Sequence, residues 1–267
     1  GFQPSDFAKL VLILYISRML TTKQDEIKDF KKGLLPILWP VLVICGLILP
    51  ADFSTSAMLL IVCFTMIFIG GAKIKHLVSI VGTAVVGFLF LILLNMASPG
   101  LLPRVDTWEK RMMSYGSGDK QENYQAEMAK RAVANGFLFG KGPGRGHVKN
   151  DLYSAQSDFI YASSIEEFGS IFGGIGLLLL YMILFFRAIR IMNKVDSKFA
   201  FFLVFGLSFM LIFQSFINMG VGVNLFPVTG QPLPLISMGG TSILFTCISL
   251  GVILNVSATV YTDNNYE

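Results

Sequence analysis

Between Gly140 and Gly169 the chain reads GKGPGRGHVKNDLYSAQSDFIYASSIEEFG, the longest polar interruption in an otherwise apolar sequence. It gathers the carboxylates Asp151, Asp158, Glu166 and Glu167 with the cations Lys141, Arg145 and Lys149 among closely spaced glycines. These residue types suit two chemistries. A carboxylate held within hydrogen-bond reach of a hydroxyl can take its proton as that hydroxyl attacks. Glycine-rich backbone can turn several amides toward one anion, and nearby cations add long-range attraction, which suits a pyrophosphate. The run lacks the G-K-[ST] ending of a nucleotide-binding loop, so a solvated flexible loop is an equal reading of its glycines.

Asp158 follows Ser157, a candidate N-cap, and is expected in the first turn of a helix. There it could simply complement the helix dipole, an effect of about 0.3–1 kcal/mol. Glu166 lies about 80° further around an ideal helix and roughly 12 Å further along it. A carboxylate at the bilayer centre costs about 2.5–3.5 kcal/mol and ordinarily faces a cavity or a partner, so Glu166 marks this helix as lining something. Glu167 faces elsewhere, with Lys9 or Arg145 as candidate ion-pair partners.

The elements that must position these groups are membrane helices. Of the 267 residues, 54% are hydrophobic and only 14% charged, and the mean hydropathy is +0.66, too apolar for a water-soluble globule of this size. Several apolar runs reach the roughly 20 residues that cross about 30 Å of hydrocarbon as a helix. Cys45, Cys63 and Cys247 all sit in such runs and read as small buried hydrophobes, while His76 and His147 stand alone. A His/Cys metal site is therefore not expected; a carboxylate-bound divalent cation stays open. The fold class is all-α, a polytopic transmembrane bundle of about seven helices forming one membrane domain over 1–267.

The first helix runs from Pro4 to about Leu20 with Ser5 as a candidate cap, and Lys9 lies one turn in, where a lysine usually snorkels to the headgroups. Further helices are expected over Leu34–Leu49, Ser54–Gly71, Leu77–Met96, Phe172–Met192, Phe199–Gly220 and Ile243–Val260. The loops 21–33, 72–76 and 187–198 are rich in Lys or Arg and belong in the cytoplasm, whereas 50–53 and 222–235 have neither. That topology puts the segment 98–157, and Asp158 after it, on the extracytoplasmic face. It also puts Gly1 outside, at what reads as an internal cut, so upstream helices are expected.

Within 98–157 the pattern predicts interfacial amphipathic helices, one over Arg104–Tyr115 and one over Glu122–Phe139. The second presents Tyr124, Met128, Val133 and Phe137 to one side and sets Glu127 four residues before Arg131. The run NMGVGVNLFPVTGQPLPLISMGGTS, with its prolines and glycines and no charge, predicts irregular backbone at membrane depth, which is stable only where other groups satisfy its amides.

The segments FQPSDFAK, LPADFSTSAMLL, RVDTWEKR, NYQAEMAKRAVANGFLFGKGPGRG, SDFIYASSIEEFG and NLFPVTGQPLPLISMGGTS follow one another as in the SEDS proteins of bacterial wall synthesis, which the chain resembles from Phe2 to about Asn255. PVTGQPLPLISMGGTS and LPADFSTS are more similar to the division member, FtsW, than to the elongation member, RodA. The resemblance implies about ten membrane helices, of which these are about the last seven. It implies a peptidoglycan glycosyltransferase of the cytoplasmic membrane that polymerises lipid II on the outer face. The family's essential aspartate carries over to Asp158 in SDFIYA, as general base. Lys141, Arg145, Lys149 or a divalent cation (Mg or Mn) would then face the leaving undecaprenyl pyrophosphate, and Glu166 would correspond to an acid of the central cavity. Implied partners are lipid II, a class B penicillin-binding protein that acts as transpeptidase, and other divisome or elongasome membrane proteins. Two other readings compete with polymerisation: a lipid II flippase, for which broken helices and Glu166 are suited, and a scaffold for the transpeptidase.

Overall fold

A computed structural model describes residues 3–80, 82, 87, 120–146 and 155–263. Its helices in chain order are α1 (Pro4–Thr22), α2 (Leu35–Ile48), α3 (Phe53–Ile69), α4 (Lys120–Gly136), α5 (Ile160–Gly169), α6 (Leu177–Met192), α7 (Lys198–Gly222) and α8 (Gly240–Asp263). A π turn, Phe30–Leu34, leads into α2, and another, Ser170–Gly176, joins α5 to α6. Among the described residues no strand occurs.

Four stretches are long and apolar enough to cross a membrane: Phe30–Ile48, Ile160–Met192, Lys198–Gly222 and Gly240–Val260. With the shorter apolar Phe53–Ile69 and with α1, they form a polytopic all-helical bundle. The expected helix over Leu77–Met96 is helical at 74–80, and most of the rest of it lies outside the described residues, as does the whole of the amphipathic helix expected over Arg104–Tyr115.

α7 is the central post, packing against α1, α3, α5, α6 and α8. It is apolar on nearly every side, which is what a helix surrounded by others requires, and Phe202, Val204, Leu207 and Met210 join the main core with Ile13 and Ile16 of α1 and Val62 and Met66 of α3. Its polar residues are absorbed locally: the hydroxyls of Ser208 and Ser215 donate to the carbonyls one turn back, Val204 at 2.7 Å and Leu211 at 2.8 Å. By contrast α8 and the 160–192 stretch leave large apolar side chains on the outside, as a lipid-facing surface does.

Details near the helix ends depart from expectation. Gln3, not Ser5, occupies the cap position of α1, because Pro4 already starts the helix. Lys9 does not snorkel: its ammonium lies 3.0 Å from Asp6, and both residues are only 7% exposed. A carboxylate one turn back thus removes the reason to reach for water. Cys45 and Cys63 are buried as expected, but Cys247 is exposed on α8.

The largest correction concerns α4. Its buried face is Met128, Ala129, Ala132 and Gly136, while Tyr124 and Phe137 are exposed. The helix packs closely along α5, and small residues allow that approach where bulky ones would hold the helices apart. The i,i+4 pair expected on its outer side is present, with Arg131 2.6 Å from Glu127.

Candidate functional site

Asp158 sits in a turn over 155–159, one residue before the position that caps α5. Ser157 is therefore not the N-cap: Phe159 holds that position and makes no side-chain cap. Phe159 is instead an anchor. It is 1% exposed, packed with Met128, Ala129 and Ala132 of α4 and Val221 of α7. Driving that ring into the core fixes the turn and leaves the half-buried Asp158 beside it.

Three hydrogen bonds hold the turn from outside. Asn218 on α7 donates its Nδ2 to the carbonyl of Asp158 at 3.0 Å, Ser237 donates its hydroxyl to the carbonyl of Ser157 at 2.6 Å, and the amide of Met238 donates to Gln156 at 2.9 Å. Burial pushes the Asp158 carboxyl above the ordinary aspartate value; a hydrogen bond from the Ser157 side chain partly offsets this, and the charge of Asp52 adds to the rise.

The segment that supplies Ser237 and Met238 runs over 223–239 and is irregular, as expected of its uncharged, proline-rich sequence. Side chains take up its carbonyls: Gln214 donates to Pro232 at 2.8 Å, Asn218 to Gln231 at 2.7 Å, and the Tyr181 hydroxyl to Pro234. Ser237 accepts from the amide of Leu233 at 2.7 Å while donating to Ser157, so one hydroxyl ties the segment to the Asp158 turn.

Asp52 completes the arrangement. It caps α3, accepting from the Thr55 amide at 3.0 Å and from the Thr55 hydroxyl. The Gln231 amide donates to the Thr55 hydroxyl at 2.6 Å and to Asp52 at 3.3 Å. Asn218 and Gln231 spend their donors on these contacts, leaving Asn218 Oδ1 and Gln231 Oε1 buried without a partner among the described residues. Beside Asp52 opens a mainly apolar groove of about 920 Å³ among α1, α2, α3 and α7, lined by Ile48, Phe53, Met58, Ile61, Phe213 and Thr229 among others.

The glycine-rich run is placed differently from expectation. Two of its amides are turned onto α5: Lys141 N donates to the Glu166 carbonyl at 3.0 Å and Gly142 N to the Glu167 carbonyl at 2.9 Å. In return Ser170 N donates to the Phe137 carbonyl at 2.8 Å. The two backbones pass so closely that a Cβ on Gly140 would lie 2.3 Å from the Glu167 carbonyl oxygen, and one on Gly169 2.2 Å from that of Leu138. The amides of Lys141 and Gly142 are thereby committed to structure.

Glu166, expected to line a cavity, is fully buried. Its Oε1 meets the Lys141 ammonium at 3.2 Å and the Asn135 amide at 3.3 Å, so it joins α4, the glycine run and α5. Arg145 is exposed, Lys149 and Asp151 lie outside the described residues, and Lys9 is engaged by Asp6 and not by Glu167. The structure thus brings Lys141 to Glu166, and sets Asp158 with Asp52, Asn218 and Gln231, three residues that sequence reading did not single out. Asp52 stood in view as the lone charge of its loop, but nothing in the linear pattern joined it to Gln231, 179 positions away.

Comparison with known proteins gives a consistent picture. The cell cycle protein family of FtsW, RodA and SpoVE matches residues 1–262. Stage V sporulation protein E of Bacillus subtilis is 36% identical over 263 residues, covering 96% of this chain and 69% of that protein. The probable peptidoglycan glycosyltransferase FtsW of Haemophilus influenzae is 33% identical over 261 residues, covering 96% of this chain and 64% of its own length. The chain thus spans about two thirds of these relatives. Among solved structures, a peptidoglycan synthase complex that couples polymerization and crosslinking matches with a TM-score of 0.70 and 28% identity, over 97% of this chain and 71% of the other. The rod shape determining protein RodA of Thermus thermophilus matches with a TM-score of 0.60 and 25% identity, over 97% and 67%.

Proposed function

Because the chain belongs to the FtsW, RodA and SpoVE family of cell cycle proteins, we propose that it is a peptidoglycan glycosyltransferase that polymerises lipid II, with Asp158 as general base. It works as a multi-pass protein of the bacterial cytoplasmic membrane, with 98–157 and the active site on the extracytoplasmic face. The observation that carries the role of Asp158 is its placement: a partly buried carboxylate on a turn braced from α7 and from the 223–239 segment, with its proton affinity raised. A carboxylate whose proton affinity is raised is better matched to taking a proton from a sugar hydroxyl than an ordinary aspartate is.

In the transfer, Asp158 takes the proton from the acceptor sugar's 4-hydroxyl as that oxygen bonds to the donor's anomeric carbon. The bond from that carbon to the pyrophosphate oxygen breaks, and undecaprenyl pyrophosphate leaves with the electron pair. The apolar groove beside Asp52 suits a polyprenyl chain. Arg145, exposed and with its amide bonded to the Gly142 carbonyl at 3.1 Å, is the cation that we assign to the leaving group among the described residues of the glycine run. Lys141 serves by holding that run against Glu166. Among the described residues no three His, Cys, Asp or Glu side chains gather as ligands; a divalent cation would supply positive charge beside the leaving pyrophosphate. A class B penicillin-binding protein is the partner that crosslinks the product.

The test is polymerisation of purified lipid II by the full protein and by Asp158→Asn. A loss on the order of 10²–10⁴-fold with folding intact supports the base. Full activity in the variant removes Asp158 from the chemistry. Vesicles that translocate lipid II without polymerising it would replace the reading with a flippase.

A further inference from the structure

We propose that Asp52, at the start of α3, is a positioning residue for Asp158, holding the turn that carries the base through Gln231 and Asn218. The proposal rests on the reading of Asp158 as base given above.

The path is continuous. The Asp52 carboxylate and the Thr55 hydroxyl both receive the Gln231 side-chain amide, at 3.3 and 2.6 Å. That fixes the Gln231 side chain, which is 2% exposed and has no solvent to turn to. The backbone carbonyl of the same residue accepts from Asn218 Nδ2 at 2.7 Å, and the second proton of that Nδ2 goes to the carbonyl of Asp158 at 3.0 Å. Asn218 is 1% exposed and sits on the central helix α7. One amide group thus clamps the 223–239 segment and the catalytic turn together, and Asp52 determines where the Gln231 end of that clamp lies.

Asp52 also acts directly. Among the described residues its charge, with burial, opposes ionisation of Asp158; α7 faces the turn with neutral Asn218, the irregular segment with neutral Ser237 and Met238, and the turn itself contributes the Ser157 hydroxyl. Mechanical and electrostatic effects can therefore be separated by substitution. Asn in place of Asp52 keeps a cap on α3 and an oxygen for the Thr55 amide but removes the charge. Its removal makes Asp158 a stronger acid, so the base stays ionised to lower pH. Ala in place of Gln231 leaves the charge and the carbonyl that Asn218 holds, but releases that end of the clamp from Asp52 and Thr55.

The experiment measures kcat, KM and the pH profile of lipid II polymerisation for the full protein in bilayer nanodiscs, beside thermal unfolding of each variant. Asp52→Asn is expected to move the acid limb of kcat to lower pH. Gln231→Ala is expected to lower kcat by up to about 100-fold, the scale of a small misplacement of a reacting group, with KM and the acid limb little changed. An acid limb that stays put in Asp52→Asn, together with wild-type kcat in Gln231→Ala, overturns the proposal while leaving Asp158 in its role. Wild-type activity in Asp158→Asn would instead overturn the reading on which the proposal rests. A lower unfolding temperature for Asp52→Asn with an unmoved acid limb shows a helix cap only, and counts against positioning.

Discussion

The ammonium of Lys141 lies 3.2 Å from a carboxylate oxygen of Glu166, and the acid has no exposure to solvent. A buried charge that loses its partner costs about 3–5 kcal/mol, whereas removing both members can be nearly neutral. Lys141→Met should therefore destabilise the fold, by less than that figure because the lysine end is partly exposed. Adding Glu166→Gln should restore most of the loss. Thermal unfolding in detergent, arranged as a double-mutant cycle, measures the coupling; additive losses would show that the pair is not interacting.

Asp158 links activity and stability with opposite signs. Its folded carboxyl titrates above the unfolded value, because burial and Asp52 disfavour the charge. Its contribution to stability is thus full below the unfolded value and lost as pH rises through the folded one. Asp158→Asn should abolish polymerisation yet unfold at the same or a higher temperature than wild type near neutral pH, the difference closing as the medium is acidified. A variant less stable at neutral pH would contradict the burial argument.

Close contact between α4 and α5 sets a third expectation. A Cβ on Gly136 would lie 2.0 Å from the Ile165 carbonyl oxygen, whereas one on Gly46 meets nothing within 4 Å. Gly136→Ala should cost about 1–3 kcal/mol or more, as overpacking does, and displace the Asp158 turn, reducing polymerisation as well. Gly46→Ala should be neutral or stabilising by up to about 1 kcal/mol. Equal unfolding temperatures for the two variants would refute the contact.

Phe137, Leu138 and Phe139 are 79%, 53% and 72% exposed, on a turn lashed by hydrogen bonds to residues 170 and 171 of the membrane-crossing stretch Ile160–Met192. Three successive apolar side chains there will contact acyl chains. Phe139→Trp fluorescence should be quenched by brominated lipids and little affected by iodide in the water; the reverse pattern would put the turn in solvent.

How far the sequence was legible varied by the range of the signal. Hydropathy located α2, α3, α7 and α8 within a few residues, because a helix crossing a membrane is specified by its own run of side chains. Asp158 was legible as part of a polar island, and the irregular 223–239 segment from its prolines and glycines. Of the expected α4 stripe, Met128 and Val133 do pack inward, whereas Tyr124 and Phe137 were misassigned because large apolar residues draw attention, while close packing selects Ala129, Ala132 and Gly136. The committed amides of Lys141 and Gly142, and the Asp52–Gln231–Asn218 network, were hidden for another reason. Each depends on segments that meet only in three dimensions, and an isolated Asn or Gln in a greasy helix has no local pattern to betray its partner.

The break at Gly169, where φ is +80° and the π turn Ser170–Gly176 follows, bears on bilayer thickness. The stretch Ile160–Met192 has 33 residues, a contour of about 50 Å for a hydrocarbon layer of about 30 Å. The surplus falls in α5, which is packed to α4 and α7 and set off from α6 by the break. The turn that carries Asp158 is therefore set by the contacts of α5 with α4 and α7 and by the 223–239 segment, and not by a continuous helix running on into α6.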